Sequence, residues 1–239
     1  MNDSVKGSMA SGRTTRGRAQ AKSGGNASAD GTRRDQIRAA AAREFAQNGV
    51  LATTVRDIAR EAGILSGSLY HHFDSKETMV DEILSEFVLQ LVATDKKVVA
   101  ESPSPTIAIE RLVRAVIEAV ESHPYAIRIL QNDTDYLAQF PRFSYLEKIE
   151  RDIRKVWTGV LEEGVAEGTV RSDLPADIMY RFIRDSVTML PRWYEAGGKY
   201  NISELADMWI ALIMKGIRAE SPRGRVRSGT AASGGRSRK

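Results

Sequence analysis

Residues 53–77 read TTVRDIAREAGILSGSLYHHFDSKE, and this stretch decides the fold. Its first helix is predicted to start behind an N-cap at Thr53 or Thr54 and to end at Gly63, where a glycine favours termination. A second short helix is predicted over about 66–71. Two short helices joined by a tight glycine-containing turn are typical of a helix-turn-helix, which places its second helix in the major groove of DNA.

The flanking sequence predicts an all-α protein. Apolar residues recur at spacings of three and four, and no alternation of period two suggests a strand. A preceding helix over about 33–48 completes a three-helix head. The helices that follow are predicted from 74 to about 100, over 106–122, up to about 138, and over 143–167, 176–195 and 203–219. Pro191 is expected to kink or end the eighth of these nine helices.

Composition and charge divide the chain into four parts. Residues 32–77 form the predicted DNA-binding domain and 78–219 a helical ligand-binding and dimerisation domain. The flanking segments 1–31 and 220–239 carry net charges of +3 and +5 and little to bury, so both are predicted to be disordered basic tails. Because residues 77–219 carry about −6, the sequence indicates a DNA-facing end and a ligand-facing end. The tails alternatively serve only solubility.

Several functional classes find no support in the sequence. The 239 residues contain no cysteine, no long apolar run and no signal-peptide pattern, which favours a cytoplasmic, nucleoid-associated protein without membrane contact. No nucleophile–base pair or phosphate-binding loop is visible, so neither an enzyme nor a bound cofactor is expected. His71 and His72 are adjacent on one helix and do not share a face, so no metal site is expected.

Residues of the head carry the predicted DNA contacts. The hydroxyls of Thr54 and Tyr70 suit phosphate oxygens, and Lys76 adds positive charge at a helix N-terminus. Arg33 and Arg34, with the arm before them, are candidates for the backbone or the minor groove. The predicted base-edge contacts are Ser66, Gly67, Ser68 and His71.

The last helix suggests self-association. Its apolar residues surround most of the circumference, so it must be buried on more than one side. A second subunit is the expected partner, and a central core helix is the alternative. The predicted dimerisation residues are Met208, Trp209, Leu212 and Ile213. In a homodimer, the two heads would bind a palindromic DNA operator with half-sites about 34–36 Å apart.

The head sequence resembles the tetracycline-repressor (TetR) family of transcriptional regulators closely, over about 32–77 by motif and beyond that by helix count. The resemblance implies a ligand-responsive repressor, in which the fourth helix passes the effector signal from the body to the head. One position departs from the pattern. Members usually have Ser or Thr after Ala-Gly-Val/Ile, whereas this chain has Leu65, so Ser66 is expected to cap the recognition helix instead.

Within the family, three stretches resemble actinobacterial regulators of cholesterol-ring catabolism: 62–73, 141–145 and 180–185. This likeness implies a CoA thioester of a steroid-ring fragment as the effector. Thr188 stands where a Trp is expected in that subgroup, so another fatty acyl-CoA is the near alternative. Two alternatives are more distant. One is a drug-responsive regulator with a cationic or neutral hydrophobic ligand. The other is a protein that binds DNA or membrane surfaces through its basic tails.

This likeness also implies that Arg184 is the leading effector candidate, and on physical grounds an arginine in an apolar bundle needs a partner. It either pairs internally, with Asp185 or an acidic residue of helix seven, or receives an anionic ligand group. The full set of predicted effector residues is Arg184, Thr188, Trp157, Phe143 and Arg181, with Trp193, Tyr136 and Phe140 as further apolar lining.

Overall fold

The computed structural model describes the backbone of residues 24–219 and the side chains of residues 31–219. The α-helices are α1 Gly24–Asn48, α2 Val55–Glu61, α3 Ser66–Leu69, α4 Lys76–Ala100, α5 Pro105–Ser122, α6 Pro124–Leu137, α7 Tyr145–Ala166, α8 Ala176–Thr188 and α9 Ile202–Ile217. Short 3₁₀ turns cover Pro141–Phe143 and Leu190–Arg192. Apart from one isolated bridge, this part of the chain contains no β-structure, which confirms the all-α prediction.

The head is built from α1, α2 and α3 around a small apolar core. Phe45 of α1, Ile58 of α2 and Leu69 of α3 are all fully buried in it. The Thr54 side chain caps α2, which confirms one of the two predicted N-caps, Thr53 or Thr54. Gly63 then turns the chain with a φ of 65°, in the left-handed region that glycine adopts at little cost.

The first helix is longer than predicted. It begins at Gly24 rather than near residue 33, so residues 24–31 of the predicted disordered tail are helical. Extending an existing helix costs much less than nucleating one, and the amphipathic stripe further along α1 supplies the nucleus. The rest of the 1–31 prediction and all of the 220–239 prediction lie outside the described residues.

The recognition helix and the eighth helix also differ from their predicted lengths. α3 stops at Leu69 rather than near residue 71, and α8 stops at Thr188 rather than near residue 195. Pro191 explains the second difference, because proline lacks the N–H donor and disfavours helical geometry in the residue before it. The expectation that this proline ends the regular helix is confirmed.

The body is a helical bundle organised around α5. Leu112, Val113 and Ile117 of α5 are fully buried, and α5 packs against α4, α7 and α9. Ser104 caps this helix and Pro105 occupies its first turn, where a missing N–H costs nothing. α4 runs from the head into the body, so it contacts both the DNA-binding helices and the bundle.

Candidate DNA-binding and effector sites

The exposed part of the helix-turn-helix is the surface that the sequence predicts for DNA. Gly67, Tyr70 and His71 are exposed, and Ser66 and Ser68 are half-buried. On the opposite side, α3 is held by its buried apolar residues Leu69 and Phe73. This arrangement leaves every predicted base-contacting residue at least partly accessible, and their contacts with DNA stay predictions.

The start of α3 corrects one expectation. Leu65 occupies the N-cap position and supplies no side-chain hydrogen bond, while Ser66 is already the first helical residue. The prediction that Ser66 caps the helix is therefore wrong. The hydroxyl of Ser66 is not committed to a cap, because capping geometry requires the residue before the first helical turn.

Thr54 and Asp57 form a reciprocal cap at the start of α2. The Thr54 hydroxyl accepts a hydrogen bond from the Asp57 backbone N–H at 3.2 Å and donates to the Asp57 carboxylate at 2.6 Å. The pKa of Asp57 is lowered, and this hydrogen bond from Thr54 is the largest of the causes. Thr54 therefore stabilises the start of α2, and it is also exposed, as its predicted phosphate contact requires. The capping role of Asp57 was missed from sequence.

Lys76 has a structural role that was missed from sequence. Its ammonium donates to the carbonyl oxygens of Val50, Leu51 and Thr53, at distances of 2.6, 3.3 and 3.1 Å. An ammonium has three donors, and all three have an acceptor in the α1–α2 loop. This geometry assigns Lys76 to positioning the loop that precedes α2, and its phosphate contact stays a prediction.

Arg34 is likewise engaged within the head. Its guanidinium lies 4.0 Å from the ring centroid of Phe73 and also contacts the His72 carbonyl oxygen and Glu82 of α4. These contacts tie α1 to the end of the recognition unit and to α4, so the predicted reach of Arg34 into DNA is not supported by its geometry. Arg33 bonds only its helical neighbour Gln36 among the contacts described, at 2.8 Å.

A buried carboxylate joins the body to the head. Asp133 of α6 accepts a hydrogen bond from the Val50 backbone N–H at 2.9 Å, in the same loop that Lys76 holds. Burial raises the pKa of Asp133, and the hydrogen bond from Val50 and the charge of Lys76 oppose that effect. Loop 49–53 is therefore fixed from both sides, by α4 through Lys76 and by α6 through Asp133.

Arg184 is paired internally in this conformation. Its guanidinium bonds Asp185 at 2.9 Å and Glu150 of α7 at 3.2 Å, and it lies 5.6 Å from the ring centroid of Tyr180. Both internal partners that the sequence suggested, Asp185 and an acid on helix seven, are present. About one third of the side chain remains accessible, so an incoming anion could compete with these carboxylates.

A second polar pair lies deeper in the body. Asp95 of α4 is fully buried and accepts a hydrogen bond from the Trp157 indole N–H at 3.1 Å, while its other oxygen has no partner. Burial raises the pKa of Asp95 to about 6, against the opposing effect of the Trp157 hydrogen bond. Asp95 was missed from sequence, although it continues the α4 stripe of Leu84, Val88 and Leu91 at helical spacing.

The remaining predicted effector residues lie in several different parts of the body. Phe143 is buried in the 3₁₀ turn before α7, Trp157 is buried against Tyr180, and Arg181 is exposed. Thr188 donates to a carbonyl oxygen of its own helix.

The predicted further lining separates into two aromatic groups, Tyr136–Phe140–Phe143 and Trp193–Trp209. Open cavities of about 180 and 280 Å³ lie between α4 and α5 and between α5 and α9, and no predicted effector residue lines either.

The predicted dimerisation residues lie on a partly exposed apolar face. Leu212 is 72% exposed and Met208 is 47% exposed, whereas Trp209 and Ile213 are half-buried. The Trp209 indole N–H donates to the Ser186 hydroxyl at 3.1 Å, which places this part of α9 beside α8. Phe182, one turn before Ser186 and 70% exposed, extends the same face. We call Phe182, Met208 and Leu212 the α8–α9 apolar face.

Two stretches of the chain match known sequence families. Residues 37–83 match bacterial regulatory proteins of the tetR family, and residues 102–217 match the tetracyclin repressor-like C-terminal domain. The chain belongs to the tetR family. Tested on the described residues alone, no helix is long and apolar enough to cross a membrane, and no three acidic or histidine side chains are grouped to hold a metal ion.

Relatives within the tetR family are transcriptional repressors. The chain is 44% identical to the HTH-type transcriptional repressor KstR2 of Mycobacterium tuberculosis, covering 79% of this chain and 94% of the relative. It is 42% identical to KstR2 of Rhodococcus jostii, covering 77% and 91%. The solved structure of the ketosteroid transcriptional regulator KstR2 of M. tuberculosis matches with a TM-score of 0.76, covering 79% and 96%. These repressor relatives confirm the prediction that the chain is not an enzyme.

Proposed function

We propose that this tetR-family repressor binds a palindromic DNA operator as a homodimer and is released from it by a small effector. The observation that carries the proposal is the exposed α3 surface on a capped two-helix unit, in a chain 44% identical to a KstR2 repressor. The net positive charge of head residues 32–76 favours a polyanion at this end. Its site of action is the bacterial cytoplasm, on nucleoid DNA.

The α8–α9 apolar face supports the homodimer. A monomer that left Phe182 and Leu212 exposed would forgo about 1.5–3 kcal/mol for each side chain that a partner could bury. A two-fold symmetric interface places the same face of both copies together and orients the two heads alike. Half-sites about 34–36 Å apart then follow from the pitch of DNA.

The proposed effector is a CoA thioester from steroid-ring catabolism. The support is the sequence identity to regulators named for ketosteroids, together with an arginine that is paired but one-third accessible. Anionic groups of such a ligand would take the place of Glu150 or Asp185 on the Arg184 guanidinium. A fatty acyl-CoA, or a hydrophobic drug-like ligand, remains the second candidate.

Native mass spectrometry identifies the effector class first. The purified protein is mixed with a panel of steroid-fragment CoA thioesters, fatty acyl-CoAs, the corresponding free acids and hydrophobic drugs. The proposal expects the steroid-fragment thioesters to bind and to release the protein from an operator selected out of random DNA. Selective binding of a fatty acyl-CoA or a drug instead would replace the proposed ligand, without affecting the DNA-binding part of the proposal.

The role of Arg184 is tested in the same release assay with two matched variants. Arg184→Met should bind the operator normally, yet need roughly tenfold more thioester for release, because a charge-assisted hydrogen bond contributes about 1.5–3 kcal/mol. Arg151→Met is the control, since Arg151 lies exposed on α7 and pairs with Glu147. Equal release of both variants would make Arg184 purely structural.

A further inference from the structure

Leu65 breaks two local rules of protein structure at once. It occupies the N-cap of the recognition helix without supplying a capping hydrogen bond, where Ser, Thr, Asp or Asn would be favoured. Its side chain is also 80% exposed, more than any other large apolar side chain of the described residues. Nothing within the head repays either cost, and such uncompensated departures are expected where a residue serves function.

Gly67, two residues further on, is a second such departure. A Cβ added to Gly67 would meet no atom within 4 Å, so the packing of the head does not require glycine there. Glycine inside a helix is less favourable than alanine by about 0.8–1 kcal/mol. The bare backbone at Gly67 and the apolar side chain at Leu65 therefore belong to a surface shaped for something outside the folded chain.

We propose that Leu65 is a specificity-determining residue that packs against the C5-methyl group of a thymine in the major groove. This inference rests on the proposed function, because it takes the α3 surface as the one that meets DNA. The methyl group of thymine is the apolar feature that distinguishes its edge of the major groove, and aliphatic contacts read it. The polar groups of Ser66 and Ser68 nearby then read hydrogen-bonding positions, while Leu65 reads a methyl.

The alternative partner, a second protein surface, is less consistent with the structure. The α8–α9 apolar face, which suits a partner chain, lies in the body and combines several large side chains. By contrast, the exposed residues that follow Leu65 in the recognition unit, Gly67, Tyr70 and His71, include no second aliphatic side chain. An isolated aliphatic side chain in a polar setting fits the pattern of a base edge better than that of a protein interface.

The test removes the methyl group from DNA instead of altering the protein alone. An operator is selected by the full-length protein from random duplexes, and each thymine is then replaced singly by deoxyuridine, which lacks only the C5-methyl. Affinities are measured by fluorescence anisotropy at fixed salt for the wild-type protein, Leu65→Ala and Leu89→Ala. Leu89 is the matched control, because it is a 61% exposed leucine on α4 in the body.

We expect one thymine in each half-site whose replacement weakens wild-type binding about fourfold, the effect of losing one buried methyl group. The control Leu89→Ala should keep this sensitivity. Leu65→Ala should lose it, and because both protomers of the homodimer carry the change, it should bind the unmodified operator about as weakly as the wild type binds an operator with this thymine replaced in both half-sites. The proposal is overturned if no thymine replacement affects the wild type, or if the penalty persists in Leu65→Ala. Failure to select any sequence would instead remove the proposed function itself.

Discussion

The buried carboxyl group of Asp95 yields a quantitative prediction about pH and stability. Its neighbours offer one hydrogen bond, from Trp157, and leave one oxygen without a partner. Replacing it by asparagine keeps an acceptor for the Trp157 indole N–H and removes the ionisable group. The stability of the Asp95→Asn variant relative to the wild type should therefore increase as the pH rises above the pKa that the carboxyl has in the unfolded chain.

The pKa sets the size of the effect. Burial raises the pKa of Asp95 from 3.8 to about 6, so the folded chain binds this proton more tightly than the unfolded chain does. Below pH 3.8 the carboxyl is protonated in both states and carries no ionisation penalty. The penalty grows as the pH rises, to about 1 kcal/mol at pH 4.5 and about 3 kcal/mol above pH 7, by proton linkage.

Urea unfolding at pH 4.5 and pH 8, followed by far-ultraviolet circular dichroism, measures this difference. The free energy of unfolding of Asp95→Asn should exceed that of the wild type by about 2 kcal/mol more at pH 8 than at pH 4.5. Asp135→Asn, an exposed change on α6, controls for the pH dependence of the rest of the chain. An advantage of equal size at both pH values would refute the assignment of Asp95 as a desolvated carboxyl.

Three further changes test the other contacts. Asp133→Ala leaves the buried Val50 N–H without an acceptor and should lower the free energy of unfolding by about 1–3 kcal/mol in urea titrations, against less than about 0.5 for exposed Asp135→Ala. Tyr70→Phe should weaken operator and random DNA alike in anisotropy assays, whereas substitutions of Ser68 should change the preferred sequence; equal effects of both on both DNAs would contradict the assigned roles. Leu212→Glu should convert the proposed homodimer to a monomer in light scattering and abolish operator binding, and an intact dimer would argue against the α8–α9 apolar face as its interface.

Much of the fold could be predicted because its signals are local. The spacing of Ile37, Ala41 and Phe45 identifies the buried face of α1, and all three are buried. Gly63 marks the turn of the helix-turn-helix, because a positive φ is accessible to it. The boundaries that differed, at the start of α1 and the end of α8, depend on how far a helix propagates, which periodicity constrains poorly.

The partners of polar side chains could not be predicted in the same way. From sequence, Lys76 is a cation at a helix start, and only the folded chain brings it to three carbonyl oxygens that lie more than twenty residues earlier. Asp133 and Val50 are 83 residues apart along the chain, and Asp95 and Trp157 are 62 apart. No local pattern encodes such pairs, since each exists only after separate helices pack.

The sequence by itself determined the helix-turn-helix, the all-α architecture, the apolar α9 and Asp185 as a candidate partner of Arg184, because periodicity, caps and turns act within one or two helical turns. Tertiary structure alone decided that Arg184 contacts both Asp185 and Glu150, that Lys76 supports a loop, and that Asp133 joins the body to the head. Hydrogen bonds between distant segments depend on angstrom-scale placement of whole helices, and that placement is a property of the packed core rather than of any single stretch.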